Sequence, residues 1–159
     1  METIVTIITV LSMYMNAIQN NSEYFYNADI DNGILTTMYV YEDHADGLTP
    51  KYAIHFDYDD FGRLTEKEVC RWDIWGKNYK PDYKLQYTYF DDGYELARST
   101  WEEKENTWKS EEKMVYHIGS DNQMNVSHLF KDDRGNYHTM NHLVVNPSDE
   151  SMLLADTAL

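Results

Sequence analysis

The chain holds a single cysteine among 159 residues. No intramolecular disulfide can form, and no cysteine-rich metal site exists. That cysteine, Cys70, lies inside the strand-like stretch Glu68-Val69-Cys70-Arg71-Trp72, which predicts a small packed side chain and not a catalytic thiol. Proline is nearly as scarce. Pro50, Pro81 and Pro147 are the three, and none interrupts a strand candidate. Positive charge is short as well: Lys and Arg number 13 against 28 Asp and Glu, a formal net charge of -15. Such a chain repels phosphate backbones, which argues against nucleic acid and anionic membrane surfaces as partners; the same excess serves solubility. The one long apolar run, residues 4–15, is too short to span a bilayer as a helix. No nucleophile elbow, phosphate-binding loop or Ser/His/Asp signature occurs, so no catalytic residue and no cofactor is assigned.

Aromatic residues are what the chain has in plenty. They make up 14% of it, with 14 tyrosines, which together with a hydrophobic fraction of 42% argues against disorder. From Ile34 to about Asn146 the apolar period is two, not 3.6. Tyr52, Ile54, Phe56 and Tyr58 share one face of a strand, as do Tyr83, Leu85, Tyr87 and Tyr89. Met114, Tyr116 and Ile118 continue the pattern, and so do Tyr137, Thr139, Leu143 and Val145. An all-β domain is predicted, with strands joined by short polar turns.

The pattern repeats. Trp72, Trp101 and Phe130 are 29 residues apart, and seven residues after each stand Tyr79, Trp108 and Tyr137. Lys84 matches Lys113, and an earlier copy around Tyr41, Leu48 and Phe56 fits at a shift of 31. One copy is too short to bury its own face, so copies must stack side by side. The spacing predicts an antiparallel meander of about eight strands, two per copy, open and curved or closed as a barrel. Turns then alternate between two ends: Asp59 to Gly62, Asp91 to Gly93 and Ser120 to Asn122 at one, Asp73 to Lys77, Glu102 to Asn106 and Lys131 to Gly135 at the other.

Around this domain, residues 34–146, three further segments are distinguished. Residues 1–17 carry the apolar run and have the length of a secretory signal, with cleavage after Ala17. A first strand or a short apolar helix are the alternatives. If the signal reading holds, the protein is secreted or periplasmic. Residues 18–33 form a polar lead-in ending in Asn32-Gly33, a pair that favours a hairpin turn. Residues 147–159 form a tail, with Ser148 placed to start a short helix or else a frayed end.

Tyr58-Asp59-Asp60-Phe61-Gly62-Arg63-Leu64-Thr65 resembles the tyrosine–aspartate (YD, or Rhs) repeat motif, with Tyr58, Asp59, Gly62 and Arg63 as its marks. Phe90-Asp91-Asp92-Gly93 keeps only the turn. The whole stretch 34–146, with its Trp-Asp and Tyr-Lys strand pairs, resembles a family of secreted Bacteroidales proteins of unknown function. That resemblance implies an exported β-meander and supplies no catalytic residue.

Four features bear on function. The acid pairs Asp59/Asp60, Asp91/Asp92 and Asp132/Asp133 sit beside turn glycines, and adjacent strand residues point to opposite faces. They read as turn chemistry, not as facing glycosidase carboxyls; a weak calcium site is the alternative. His138 and His142, four apart, would share a strand face, and with His128 or His117 they allow a metal-dependent hydrolase as the least favoured reading. The aromatic ladder, with Trp72, Tyr79, Trp101, Trp108 and Tyr137 as its repeat positions, points to a non-enzymatic module that binds a protein or glycan. The competing reading of the rings is the core of a thin sheet, with a subset exposed at one rim. A structural module pairing through an open sheet edge is the remaining possibility.

Overall fold

The computed structural model describes residues 4–20, 23–119 and 123–145. A helix, α1 (Ile7–Asn20), precedes nine strands: β1 (Tyr24–Asp31), β2 (Ile34–His44), β3 (Gly47–Tyr58), β4 (Leu64–Asp73), β5 (Asn78–Phe90), β6 (Gly93–Glu102), β7 (Thr107–Ile118), β8 (Met124–Lys131) and β9 (Tyr137–Val145). The strands lie in chain order in one antiparallel sheet, each paired with the last. The sheet is open, since β1 and β9 stand at its two ends and do not meet. The expected eight strands of residues 34–146 are β2 to β9. β1 is an addition from the polar lead-in, where Tyr24, Tyr26 and Ala28 alternate with Phe25 and Asn27.

The turns follow from local chemistry. Asn32 and Gly33, at φ 49° and 82°, close β1 onto β2 in a two-residue hairpin. Asp73 pairs with Asn78 and Glu102 with Thr107, leaving four-residue turns in which Lys77 and Asn106 take left-handed conformations at φ 50° and 52°. The alternation of turns between the two ends is as the spacing predicts. The turn at 120–122 and the tail from 147 lie outside the described residues.

The repeat has a structural cause that periodicity alone does not expose. In each repeat the second strand carries one unpaired extra residue: Lys51, Asp82, Glu111 and Met140, spaced by 31, 29 and 29. Each is a β-bulge, and a bulge shifts the alternation by one. Tyr79 and Tyr83, both odd-numbered, therefore face opposite sides of the sheet. Tyr83, Tyr87 and Tyr89 join the side of Ile54 and Phe56, while Tyr79 joins Tyr39 and Trp72 on the other. The single face expected for Tyr137, Thr139, Leu143 and Val145 breaks between Thr139 and Leu143, because Met140 intervenes.

The core lies on one side only. Leu35, Met38, Val40, Ile54, Phe56, Leu64 and Val69 form a cluster with Val10 of α1, and Val5, Leu11 and Tyr14 pack against it. Leu35 and Ile54 are 0% exposed. Burying such a side chain stabilises by about 1.5–3 kcal/mol. Residues 7–20 are helical, with Thr6 at the start accepting a bond from the Thr9 amide at 3.4 Å.

Candidate binding surface

On the side away from α1, Trp72, Tyr79, Trp101, Trp108 and Tyr137 lie along one end of the sheet, whereas Phe130, in register with Glu112, Arg98 and Leu85, falls on the α1 side. Trp72 meets Tyr79 edge to face at 4.9 Å, and Trp101 meets Trp108 in the same manner at 5.1 Å. Both pairs are directly opposite one another on neighbouring strands. In the third copy the register differs: Tyr137 faces Lys131, and Phe130 stands against His138 at 5.5 Å. Lysines fill the spaces between. Lys84 bonds Glu66 at 3.1 Å and lies 5.2 Å from the Trp108 ring. Its repeat partner Lys113 bonds Glu95 at 3.0 Å and lies 4.2 Å from the Tyr137 ring. Each unit, a carboxylate and an ammonium on adjacent strands and a ring two strands further on, is a cation–π contact locked by an ion pair. Trp72, Tyr79, Trp101, Trp108 and Tyr137 are all half-buried, with faces spent on one another and on lysine. The tyrosines Tyr52, Tyr58, Tyr83, Tyr87, Tyr89 and Tyr116 belong to the opposite, helix-covered side, so one expected ladder is two.

The most exposed ring belongs to neither ladder. Trp75 is 95% exposed and Ile74 beside it 70%, at the tip of the β4–β5 turn. The tip is stiff. Asp73 Oδ1 accepts from the Trp75 amide at 3.1 Å, and Oδ2 meets Lys80 Nζ at 2.9 Å. Lys80 also reaches Glu103 at 3.2 Å on the next turn. The Lys80 ammonium and the Gly76 amide hold the Asp73 carboxyl below its ordinary pKa. At the base of the tip, Arg71, Trp72, Asp73, Lys80, Pro81 and Asp82 line an open depression of about 250 Å³, with Arg71 paired to Asp82 at 2.9 Å. Sequence reasoning passed over Trp75 because it sought what the repeat preserves. The signal was the opposite: the equivalent turn, Glu103 to Asn106, carries no ring.

The Tyr58–Thr65 motif is a turn with a clamp at its centre. Asp59 Oδ1 accepts from the amides of Phe61 and Arg63 at 3.0 and 2.9 Å, and Oδ2 from Arg63 Nε at 2.7 Å. Burial alone would raise the Asp59 pKa, but these donors outweigh it and lower the value. Gly62, at φ 72°, has the methyl end of Ile7 against the place of its missing Cβ. Tyr58 donates to the Leu35 carbonyl at 2.9 Å, and Arg63 lies over the Tyr89 ring at 4.6 Å. Asp132 repeats the device at the other end, accepting from the amides of Arg134 and Asn136 at 2.9 and 2.8 Å. The motif also receives the N-terminal segment: the Ile7 amide donates to the Gly62 carbonyl at 3.0 Å and the Leu64 amide to the Val5 carbonyl at 2.8 Å.

The bulge at Met140 undoes the shared face expected of His138 and His142. His138 stands opposite Phe130 and bonds Asp132 at 2.8 Å, whereas His142 stands opposite Ser127, on the other side, and contacts its hydroxyl at 3.1 Å. Among the described residues no group of three His, Cys, Asp or Glu is placed to hold a metal ion. Cys70 is buried, and burial with the nearby Glu68 carboxylate pushes its thiol up to about 12, far from a thiolate nucleophile. No helix among the described residues is long and apolar enough to cross a membrane.

Fold and surface together define the class: an open, single-layer antiparallel meander with one face covered by an N-terminal helix and a ring-rich rim at one end. The chain belongs to a family of unknown function, DUF3836, whose model matches residues 1–119. It is similar to the crystal structure of a protein of unknown function from Bacteroides fragilis NCTC 9343, with 18% identity over 83% of this chain and 98% of that one, at a TM-score of 0.68. A DUF3836 protein from Bacteroides vulgatus ATCC 8482 matches with 20% identity over 56% of this chain and 91% of its own, at 0.54. A third, from Parabacteroides distasonis ATCC 8503, matches with 16% identity over 83% and 97%, at 0.51. These likenesses carry the fold alone. Among curated proteins none matches.

Proposed function

We propose that the protein is an exported, non-enzymatic binding module that engages another protein through the ring-rich rim, with Trp75 as the anchor. The observation that carries this is the exposure of Trp75 beside Ile74, on a turn stiffened by Asp73 and Lys80. A contiguous Trp–Ile pair in water has no packing role in the fold, and Trp is the residue most enriched among interface hot spots. Ile74 favours a protein over a glycan, since an aliphatic side chain gives a sugar little to bind. Trp72 and the paired charges of the adjacent depression supply a polar border to the anchor. The ladder behind it, Trp72, Tyr79, Trp101, Trp108 and Tyr137, supports the rim. Export is supported by α1 itself, which carries no acid in its first turn and no base in its last, and whose Ile8, Met15 and Ile18 face water.

The test is a comparison of captures from the producing cell's envelope and medium. Wild type and Phe61→Ala, which alters an exposed ring at the opposite end, retain the same stoichiometric protein partner; Trp75→Ala loses it at least tenfold with its circular dichroism unchanged. A partner held equally by all three contradicts the proposal, as does glycan-array binding that needs Trp75. A second reading has its own observation. Among the described residues β9 is an edge strand, with no Lys, Arg, Asp, Glu or Pro and with Met140, Leu143 and Val144 exposed, the composition of an edge that pairs with another strand.

A further inference from the structure

We propose that the outer side of α1, together with Phe61 and Ile30, rests on a neutral lipid surface. This contact is distinct from the Trp75 rim and belongs to the chain that retains α1. The inner side of the helix is committed to the fold. Val10 joins the cluster around Leu35 and Ile54, the Ile7 amide donates to the Gly62 carbonyl at 3.0 Å, and the Leu64 amide donates to the Val5 carbonyl at 2.8 Å. A surface helix so placed should turn a polar side outward. α1 does not. Its 14 residues include no Asp, Glu, Lys or Arg, and its exposed positions are Ile8, Ser12, Met15, Asn16, Ile18 and Gln19. Ile8 is 76% exposed. Ile8, Met15 and Ile18, seven and three residues apart, form one stripe about 15 Å long at a rise of about 1.5 Å per residue. Two more apolar side chains stand at the end of the sheet where the helix begins. Phe61, 84% exposed, belongs to the turn whose Gly62 meets Ile7, and Arg63, paired to Asp59, lies 5.2 Å from its ring. Ile30 is half-exposed beside the β1–β2 turn, opposite Leu35 of the core cluster and therefore on the α1 side.

An exposed apolar stripe marks contact with protein or with lipid, and the make-up of this one selects lipid. Ile8, Met15, Ile18, Ile30 and Phe61 include no Trp, Tyr or Arg, the residues that anchor protein interfaces, and no charge to fix a partner's register. A fluid apolar layer requires neither. A helix lying in a membrane interface buries its apolar side about 5–10 Å deep and keeps its polar side in water; here the sheet stands in place of the polar side. Ser12, Asn16 and Gln19 offer neutral polar atoms at headgroup level. At 14 residues α1 is too short to cross a bilayer, so the contact stays at its surface. Charge then selects the lipid. Asp60 adjoins Phe61, Asp31 adjoins Ile30, and the chain carries -15, so anionic headgroups repel it and zwitterionic ones do not. In this orientation the ladder side of the sheet faces away from the membrane.

The experiment floats the full chain, Met1 to Leu159, with phosphatidylcholine vesicles and with vesicles in which about a third of the lipid is phosphatidylglycerol. The chain is expected to rise with the first and several-fold less with the second at low salt. Ile8→Gln combined with Phe61→Ser lowers the bound fraction at least tenfold with circular dichroism unchanged, since both side chains lie outside the core. Met15→Gln alone, also at an exposed position, lowers it by a smaller factor. Trp75→Ala floats as wild type does, which separates this contact from the rim. A wild-type chain that rises with neither vesicle overturns the proposal, and so does flotation indifferent to both the Ile8/Phe61 pair and Met15→Gln. Tighter binding to the anionic vesicles overturns it as well. A dimer in the absence of vesicles that the Ile8/Phe61 pair dissolves overturns it in favour of a second copy of the chain.

Discussion

Single residues set the turns of this protein, and they do so through carboxylates. Asp132 accepts from His138 and from the amides of Asn136 and Arg134, and these bonds pull its carboxyl down to about 2. A carboxylate depressed on folding contributes stability above its unfolded pKa, about 3.9, and loses it as the pH falls toward the folded value. The β8–β9 turn is therefore expected to hold above about pH 4 and to loosen between about 4 and 2. A carboxyl carbon titration by NMR checks this: a midpoint near 2 agrees, and one near the ordinary value of about 3.9 does not. Lys67 is the converse case. It is 8% exposed on the apolar face, and burial, the sole influence on its pKa, lowers it. Burial disfavours its charged form, so Lys67→Met is expected to raise stability by about 1–2 kcal/mol in urea unfolding. No change, or a loss, would show that the ammonium is solvated by a route the packing conceals. These roles are legible in part. Asp beside Gly announces a turn in the sequence; a lysine in an alternating strand gives no sign of which way its environment will treat it.

At the scale of elements the bulge is the organising device. Residue type and period two were enough to place β2 to β9, and the 29-residue spacing gave their pairing in order. The faces were not legible. Alternation read straight through residues 79–90 puts Tyr79 with Tyr83, whereas the extra residue at Asp82 sends one to the ladder and the other to the core. A bulge leaves no composition signature, because its residue can be Lys51, Asp82, Glu111 or Met140. β1 was missed for a different reason: its polar residues Asn27, Asp29 and Asp31 all face the solvent side of an edge, so its apolar half is short. Two variants separate these effects. Asp82→Ala removes an ion pair to the exposed Arg71 and is expected to cost less than about 1 kcal/mol. Deleting Asp82 slips the alternation of β5, turns several rings to the wrong side, and is expected to cost roughly 3 kcal/mol or more. Equal melting temperatures for the two would refute the bulge as the source of the two faces.

Taken as a whole molecule, the protein is a layer with two unlike sides. One side has a core and borrows its second layer from the N-terminal helix. The other has a ladder of rings whose faces are occupied by lysine and by one another, and it ends in a rim where one ring is free. The ladder positions Trp72, Tyr79, Trp101, Trp108 and Tyr137 were legible because repetition preserved them. Trp75 was not, because a binding residue added to a repeat is by nature the one without copies. The most direct test of this division is acrylamide quenching of tryptophan fluorescence in wild type and Trp75→Phe. Of the four tryptophans, one is expected to be freely quenched, and Trp75→Phe is expected to abolish that fraction while leaving the shielded remainder unchanged. Free quenching that persists in Trp75→Phe would mean that the ladder is itself an open platform, and would contradict the account.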